Sequence, residues 1–176
     1  MAKVLSCDNL ELLLEEDGFR FYLFLPKLTQ LFPKSGDMRK MTVLQKLRFL
    51  LMKKHGYRVY ILSDSTDEVL ASIVFSSGAQ YRFPFANKED LIYGPSYTMP
   101  EYRGKGYAVM LGNKVLSTFE KNFKRVFATV REENLASLRC LAKSGFETVY
   151  RLKANKLTRV LYEDIKGDHI LLKYER

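Results

Sequence analysis

The chain has 176 residues, of which 47% are hydrophobic and 13% aromatic, which is enough for one domain with its own core. Its 29 Lys and Arg against 20 Asp and Glu give a net charge of +9, but the basic residues are scattered, which disfavours a nucleic-acid-binding role. Two cysteines without CxxC spacing, no leader-like start and no long apolar stretch predict a cytoplasmic protein with no membrane contact.

The first third of the chain gives the weakest pattern. Residues 8–17 are rich in leucine and glutamate and predict a short helix that ends at Gly18. Aromatic and aliphatic residues over 19–25 predict a strand. Leucines recur at helical spacing over about residues 40–54, which predicts a second helix.

The remainder of the chain predicts strands interrupted by two helices. The predicted strands cover residues 57–62, 69–75, 81–85, 91–99, 125–130, 147–153, 158–164 and 169–174, and the predicted helices cover about 106–121 and 134–144. An antiparallel front half followed by alternating strands and helices indicates an α/β chain of the α+β type. We therefore expect residues 1–176 to form one domain, with a mixed, mostly antiparallel central sheet flanked by helices.

A basic, glycine-rich loop follows the strand that ends before Pro100. It reads Arg103-Gly104-Lys105-Gly106-Tyr107-Ala108 and opens an amphipathic helix. The first amide groups of a helix lack helical acceptors and carry the positive end of its dipole, and glycines let an anion approach them closely. This arrangement predicts a diphosphate site, although an ordinary strand-to-helix turn with solvated basic residues has the same composition. Valine at position 109 excludes a dinucleotide-binding fingerprint.

The loop resembles the Arg/Gln-x-x-Gly-x-Gly/Ala signature of the GNAT N-acetyltransferases. A second block agrees with that family, because Asn134 opens a helix that ends in Lys143-Ser144-Gly145-Phe146. The resemblance covers about residues 57–153 and implies a GNAT-like fold with a coenzyme-binding core. It also implies that residues 1–56 form the N-terminal part of the acceptor site and that residues 154–176 supply C-terminal strands.

The resemblance assigns roles along the strand before the loop. The pantetheine arm of acetyl-CoA is expected between this strand and its neighbour, and Gly94-Pro95 marks a bulge that is compatible with such a gap. The Thr98 backbone is then expected to pair with pantetheine, and the Ser96 amide to act as an oxyanion donor. Asn134 caps its helix and is expected to donate a hydrogen bond towards the coenzyme as well.

Acid and base residues are where the sequence departs from the family. The tyrosine that many members carry seven residues after the asparagine is Leu141 here, and the usual strand glutamate is Ile92. Asp90 lies nearby and is a candidate base. His55 and His169 have no carboxylate or cysteine at metal spacing, so no metal site is predicted.

The sequence thus predicts an acetyl-CoA-dependent N-acyltransferase that acts on a primary amine of a small molecule or peptide. Without the usual acid and base, a non-catalytic acyl-CoA-binding sensor or scaffold stays open as an alternative. Aromatic residues of two segments are candidates for the acceptor pocket: Tyr22, Phe24, Tyr81, Phe83 and Phe85. The acceptor and the oligomeric state are not determined by these residues, and a homodimer is compatible with them.

Overall fold

The computed structural model describes residues 9–28, 30, 31, 33, 50 and 55–176. Over these residues nine strands form one sheet in the order β1-β2-β3-β4-β5-β6-β9-β7-β8. Neighbouring strands are antiparallel except for β5 and β6, which are parallel. The strands are β1 (Leu10–Glu16), β2 (Phe19–Phe24), β3 (Arg58–Asp64), β4 (Val69–Ser77), β5 (Leu91–Thr98), β6 (Arg125–Arg131), β7 (Glu147–Ala154), β8 (Leu161–Glu163) and β9 (His169–Glu175).

Two helices follow the central parallel strands. Helix α1 (Tyr107–Lys114) follows β5 after a short 3-10 turn at Pro100–Tyr102, and it continues as a π-helical turn over Val115–Phe119. Helix α2 (Leu135–Lys143) follows β6. The sheet flanked by helices confirms the predicted fold class, and the helix predicted over 106–121 is confirmed with a π-helical end.

The core lies on both faces of the sheet. Apolar residues alternate along β4, so Ile73 and Phe75 face a cluster that also contains Leu111 of α1 and Leu141 of α2. Val74 faces the opposite side and packs in a second cluster. Both described helices therefore cover the same face of the sheet.

The N-terminal helix predicted over residues 8–17 is wrong, because Leu10–Glu16 is strand β1. The turn to β2 explains the error. Asp17 and Gly18 both have positive φ, 52° and 79°, which is the geometry of a two-residue hairpin turn. The Asp-Gly pair signals that hairpin, and its pairing with β2 overrides the helical spacing of the leucines.

The strand predicted over residues 81–85 is also wrong, since this segment forms turns. Pro84 lacks an amide donor for a ladder, and the Phe83 amide donates to the Gln80 carbonyl at 3.0 Å. The helix predicted over 40–54 lies outside the described residues apart from Leu50. Among the residues that the structure describes, no helix is both long and apolar enough to cross a membrane.

Candidate functional site

A cleft opens where β5 and β6 part. The two strands pair only from Leu91 to Tyr93, opposite Val126 to Ala128, and then diverge. In the same place β5 has one residue more than β4, because Phe75 pairs with Tyr93 and Ile73 with Ser96. The extra residue is the bulge predicted at Gly94-Pro95, where Gly94 has a φ of 108°.

The cleft has a volume of about 330 Å³. One wall is β5 with its bulge, and the other is the end of β6 together with α2. The residues that border it include Tyr93, Ser96, Thr129, Asn134, Cys140 and Leu141. An elongated arm such as pantetheine suits a cleft that is bordered by an unpaired strand edge, because strand edges offer free hydrogen-bonding groups.

The direction of the β5 backbone can be inferred from one hydrogen bond. The Met99 amide donates to the Leu70 carbonyl of β4 at 3.1 Å. Along an antiparallel pair, the N–H and C=O groups of every second residue face the partner strand. The N–H and C=O groups of Met99 and Tyr97 therefore face β4, and those of Ser96 and Thr98 face the open edge. The backbone groups expected to meet the pantetheine arm and the thioester carbonyl therefore point away from β4, as those predictions require.

The glycine-rich loop ends at the N-terminus of α1. Gly104 and Gly106 have φ values of 79° and 84°, which favour glycine, and a Cβ at either would meet no atom within 4 Å. The first hydrogen bond of α1 runs from the Met110 amide to the Gly106 carbonyl, so the amides of Tyr107 and Ala108 have no helical acceptor. The loop thus has free donors and open space beside it, which fits a diphosphate group.

Two basic side chains of the loop lie over aromatic rings. The Arg103 guanidinium is 5.8 Å from the Tyr97 ring centre, and its Nε donates to the Thr98 carbonyl at 3.2 Å. The Lys105 ammonium is 5.1 Å from the Tyr102 ring centre. These contacts keep two positive charges beside the helix N-terminus.

Helix α2 supplies the far wall of the cleft. The Asn134 side chain accepts a hydrogen bond from the Ser137 amide at 3.2 Å, which is the predicted cap. The amide NH₂ group of Asn134 is the part of that side chain left for a coenzyme. One helical turn onwards, burial raises the pKa of the Cys140 thiol, so the thiol is protonated at neutral pH.

Asp90 lies at the opposite end of β5 from the loop and does not border the cleft. Its side chain is completely buried, and both oxygens accept hydrogen bonds from Arg125 at 3.0 and 2.9 Å. The Asn87 amide donates to the same carboxylate at 2.9 Å. These contacts give Asp90 a structural role at the start of the strand and weigh against its use as a base.

The aromatic residues proposed for an acceptor pocket do not border the cleft. Phe24 and Phe83 are buried in two separate core clusters, Phe85 packs against the Phe127 ring, and Tyr81 is 69% exposed. The three phenylalanines thus serve core packing. Ile92, at the position of the usual glutamate, is buried with Phe83 on the face opposite Tyr93.

Ser137 borders the cleft and was missed from the sequence. It follows Asn134 at helical spacing, so the face of α2 that carries the asparagine could have identified it. Tyr93 could not be assigned in this way, because its facing relative to Ser96 depends on the bulge. Among the described residues, no group of His, Cys, Asp and Glu could hold a metal ion.

The comparisons with known proteins agree with this geometry. Residues 23–146 match the sequence profile described as the Acetyltransferase (GNAT) family. This match covers well over half of the chain, and the chain therefore belongs to the GNAT acetyltransferase family. A comparison with curated protein sequences gives no match.

Solved structures with the same fold include three acetyltransferases. A ribosomal-protein-S5-alanine acetyltransferase from Vibrio fischeri is 20% identical, with a TM-score of 0.55, over 92% of this chain and 95% of that one. A spermidine N-acetyltransferase from Vibrio cholerae, in complex with CoA and spermine, is 19% identical, with a TM-score of 0.52, over 77% and 76%. An aminoglycoside acetyltransferase with coenzyme A and kanamycin is 12% identical, with a TM-score of 0.59, over 79% and 80%.

Proposed function

We propose that the protein transfers an acetyl group from acetyl-CoA to a primary amine of a small molecule or peptide by direct attack. The observation that carries the proposal is the continuity of two sites along one segment. The cleft borders β5 at Gly94 to Ser96, and β5 runs on through Thr98 towards the glycine-rich loop at the N-terminus of α1. Acetyl-CoA joins a narrow thioester-bearing arm to a diphosphate, which is the pair of groups that these sites suit.

The binding roles follow from this placement. The amides of Gly104 to Ala108 bind the diphosphate, and Arg103 and Lys105 add positive charge. The open-edge peptide group of Thr98 pairs with the pantetheine arm, and Asn134 donates a hydrogen bond to it. The Ser96 amide stabilises the oxyanion, which typically contributes about 3 kcal/mol to the transition state.

Direct attack needs the acceptor amine in its neutral form. Ile92 is apolar and Asp90 is ion-paired with Arg125, so neither position offers a free carboxylate as a base. The rate is therefore expected to rise with pH towards the pKa of the amine itself, because the fraction of neutral amine rises. Positioning the amine against the thioester supplies much of the remaining rate.

The acceptor class is the open part of the proposal. The names of the structural neighbours suggest three kinds of amine to test: polyamines, aminoglycosides and peptides that begin with alanine. We further propose that residues 1–56 contribute to the acceptor site and that the protein works in the cytoplasm. The two cysteines without disulfide-like spacing support the second point.

The test has two parts, binding and turnover. Calorimetry with acetyl-CoA should detect binding, and release of free CoA should be followed with spermine, spermidine, kanamycin and an alanine-initiated peptide. Absence of binding at millimolar acetyl-CoA would overturn the proposal. Tight binding without turnover of any amine between pH 6 and 10, a window around the reference pKa values of about 6.5 for His and 10.4 for Lys, would favour the sensor.

A further inference from the structure

Tyr93 stands at the point where β5 and β6 part, and its ring is fixed there. Edge contacts hold it between Phe75, at 5.2 Å, and Phe146, at 5.5 Å between ring centres. Its hydroxyl lies against helix α1, because a Cβ added at Gly112 would be 3.5 Å from the hydroxyl oxygen. The phenol thus has one defined position on the helix-covered side of the cleft.

The surroundings of this hydroxyl are polar. The bulge places Ser96 on the same face of β5 as Tyr93, so the Ser96 hydroxyl lies on the side of the strand that carries the phenol. A Cβ added at Gly112 would also lie 3.7 Å from the Ser144 hydroxyl oxygen, so both hydroxyls lie close to the same point of α1. The Ser144 hydroxyl is buried and has no hydrogen-bond partner among the described residues. Burial raises the pKa of Tyr93, so the phenol carries its proton throughout the physiological pH range.

The opposite wall lacks the donor that the family usually places there. Leu141 borders the cleft with a side chain that has no proton to give. The Cys140 thiol is an alternative, and the Ser137 hydroxyl is far too weak an acid. Glu133 also borders the cleft, but its carboxylate is exposed and pairs with Arg131 at 3.4 Å. Among the described residues at the cleft, Tyr93 and Cys140 are therefore the two acids to distinguish.

We propose that, in the acetyl transfer proposed above, Tyr93 is the catalytic acid that protonates the leaving sulfur of CoA. The inference rests on that proposed function. As the carbon–sulfur bond of the tetrahedral adduct breaks, the O–H bond of Tyr93 breaks and an S–H bond forms. The phenolate then regains, through solvent, the proton that the attacking nitrogen loses on becoming an amide. Atoms and charge balance without another reactant.

Tyr93→Phe removes the hydroxyl and keeps the ring. We expect kcat, measured with the best amine of the panel, to fall about 100-fold, because general acid catalysis contributes about 10²- to 10⁴-fold. Acetyl-CoA affinity by calorimetry should stay unchanged. The matched control is Tyr174→Phe, since Tyr174 also contacts the Phe146 ring, at 5.6 Å, but lies on β9 outside the cleft. Tyr174→Phe should retain wild-type kcat, and Cys140→Ala should lose much less kcat than Tyr93→Phe.

A second measurement separates proton transfer from packing. Site-specific replacement of Tyr93 by a series of fluorotyrosines lowers the phenol pKa in steps at nearly constant shape. Loss of the phenol proton should cause kcat to fall at alkaline pH, and this fall should move to lower pH in the same order. A packing role would leave the pH profile unchanged.

Three outcomes would overturn the assignment of Tyr93 and leave the proposed acetyl transfer intact. They are a wild-type kcat in Tyr93→Phe, a loss of kcat in Cys140→Ala alone, and a pH profile that does not change on fluorination. A wild-type protein that turns over no amine would overturn both.

Discussion

The two ends of the junction between β5 and β6 differ in almost every respect. At the start of the strands, buried Asp90 binds the guanidinium of Arg125 through both oxygens, and three residue pairs follow in register. At the other end, the bulge at Gly94-Pro95 turns β5 away, and the strands enclose a cleft of about 330 Å³. One end is closed by side chains from both strands, and the other exposes backbone groups.

This difference shows how a rigid sheet can contain a binding site. Because the closed end fixes the spacing of the strands, the width of the open end is set before any ligand arrives, and little binding energy is used to order it. The bulge frees the peptide groups of Ser96 and Thr98 without a long loop. Residues at the closed end should therefore control stability, and residues at the open end should control binding and chemistry.

The largest effect is expected at the loop beyond the open end. Gly106→Asp places a carboxylate beside the proposed diphosphate site, where two like charges about 4 Å apart near a protein surface repel by about 4 kcal/mol. Acetyl-CoA affinity measured by calorimetry should fall about 1000-fold or become undetectable.

Gly18→Asp is the matched control for this change. Gly18 has a φ of 79°, close to the 84° of Gly106, and no atom within 4 Å of an added Cβ, but it lies in the β1–β2 hairpin. It carries the same backbone strain and the same new charge, so it should bind acetyl-CoA like the wild type. Equal weakening in both variants would show that the loop is not the diphosphate site.

An intermediate effect is expected at the closed end. Asp90→Asn leaves Arg125 without its carboxylate, and because Arg125 is 28% exposed the cost should be about 2 kcal/mol, below that of a fully buried pair. Thermal unfolding should shift down by about 4–8 °C. The shape of the kcat/KM profile against pH should not change, and a steep limb that disappears in this variant would instead identify Asp90 as the base.

The smallest effect is expected at a partly buried ion pair outside the junction. Hydrogen bonds from Tyr22, at 2.6 Å, and Arg20, at 3.0 Å, lower the pKa of Asp67 below its ordinary value of 3.8. The stabilisation is therefore present above pH 3.8 and is lost as pH falls through the lower folded-state value.

Asp67→Asn should be slightly less stable than the wild type in urea at pH 7, by less than Asp90→Asn, and the difference should vanish in strong acid. A difference that persists there would mean that packing, not charge, holds this contact.

The sequence predicted the parts of the site that depend on local backbone geometry. Gly104 and Gly106 require positive φ, Asn134 caps a helix that begins one residue later, and Gly94-Pro95 interrupts a strand, so each feature can be recognised from a few neighbouring residues. Most strands and both described helices were predicted for the same reason, because their apolar periods are local.

The parts that the sequence did not predict depend on contacts between distant residues. The ion pair of Asp90 with Arg125 is one of them, because the two residues lie 35 positions apart and nothing local indicates that pairing. Residues 8–17 have leucines at helical spacing, but the Asp-Gly turn and the pairing with β2 make this segment a strand. The facing of Tyr93 relative to Ser96 could not be predicted either, because the bulge shifts the alternation of β5 by one.

The open edge of β5 has a consequence for the exchange of amide protons with deuterated solvent. The Ser96 and Thr98 amides face the open edge of β5 and lack a neighbouring strand there, although β5 lies in the middle of a nine-stranded sheet. They should exchange quickly in the free protein, while the amides of Tyr97 and Met99, which face β4, should exchange slowly. A bound pantetheine arm would act as a strand there and protect the fast pair, so the backbone itself would report occupancy without any acceptor present.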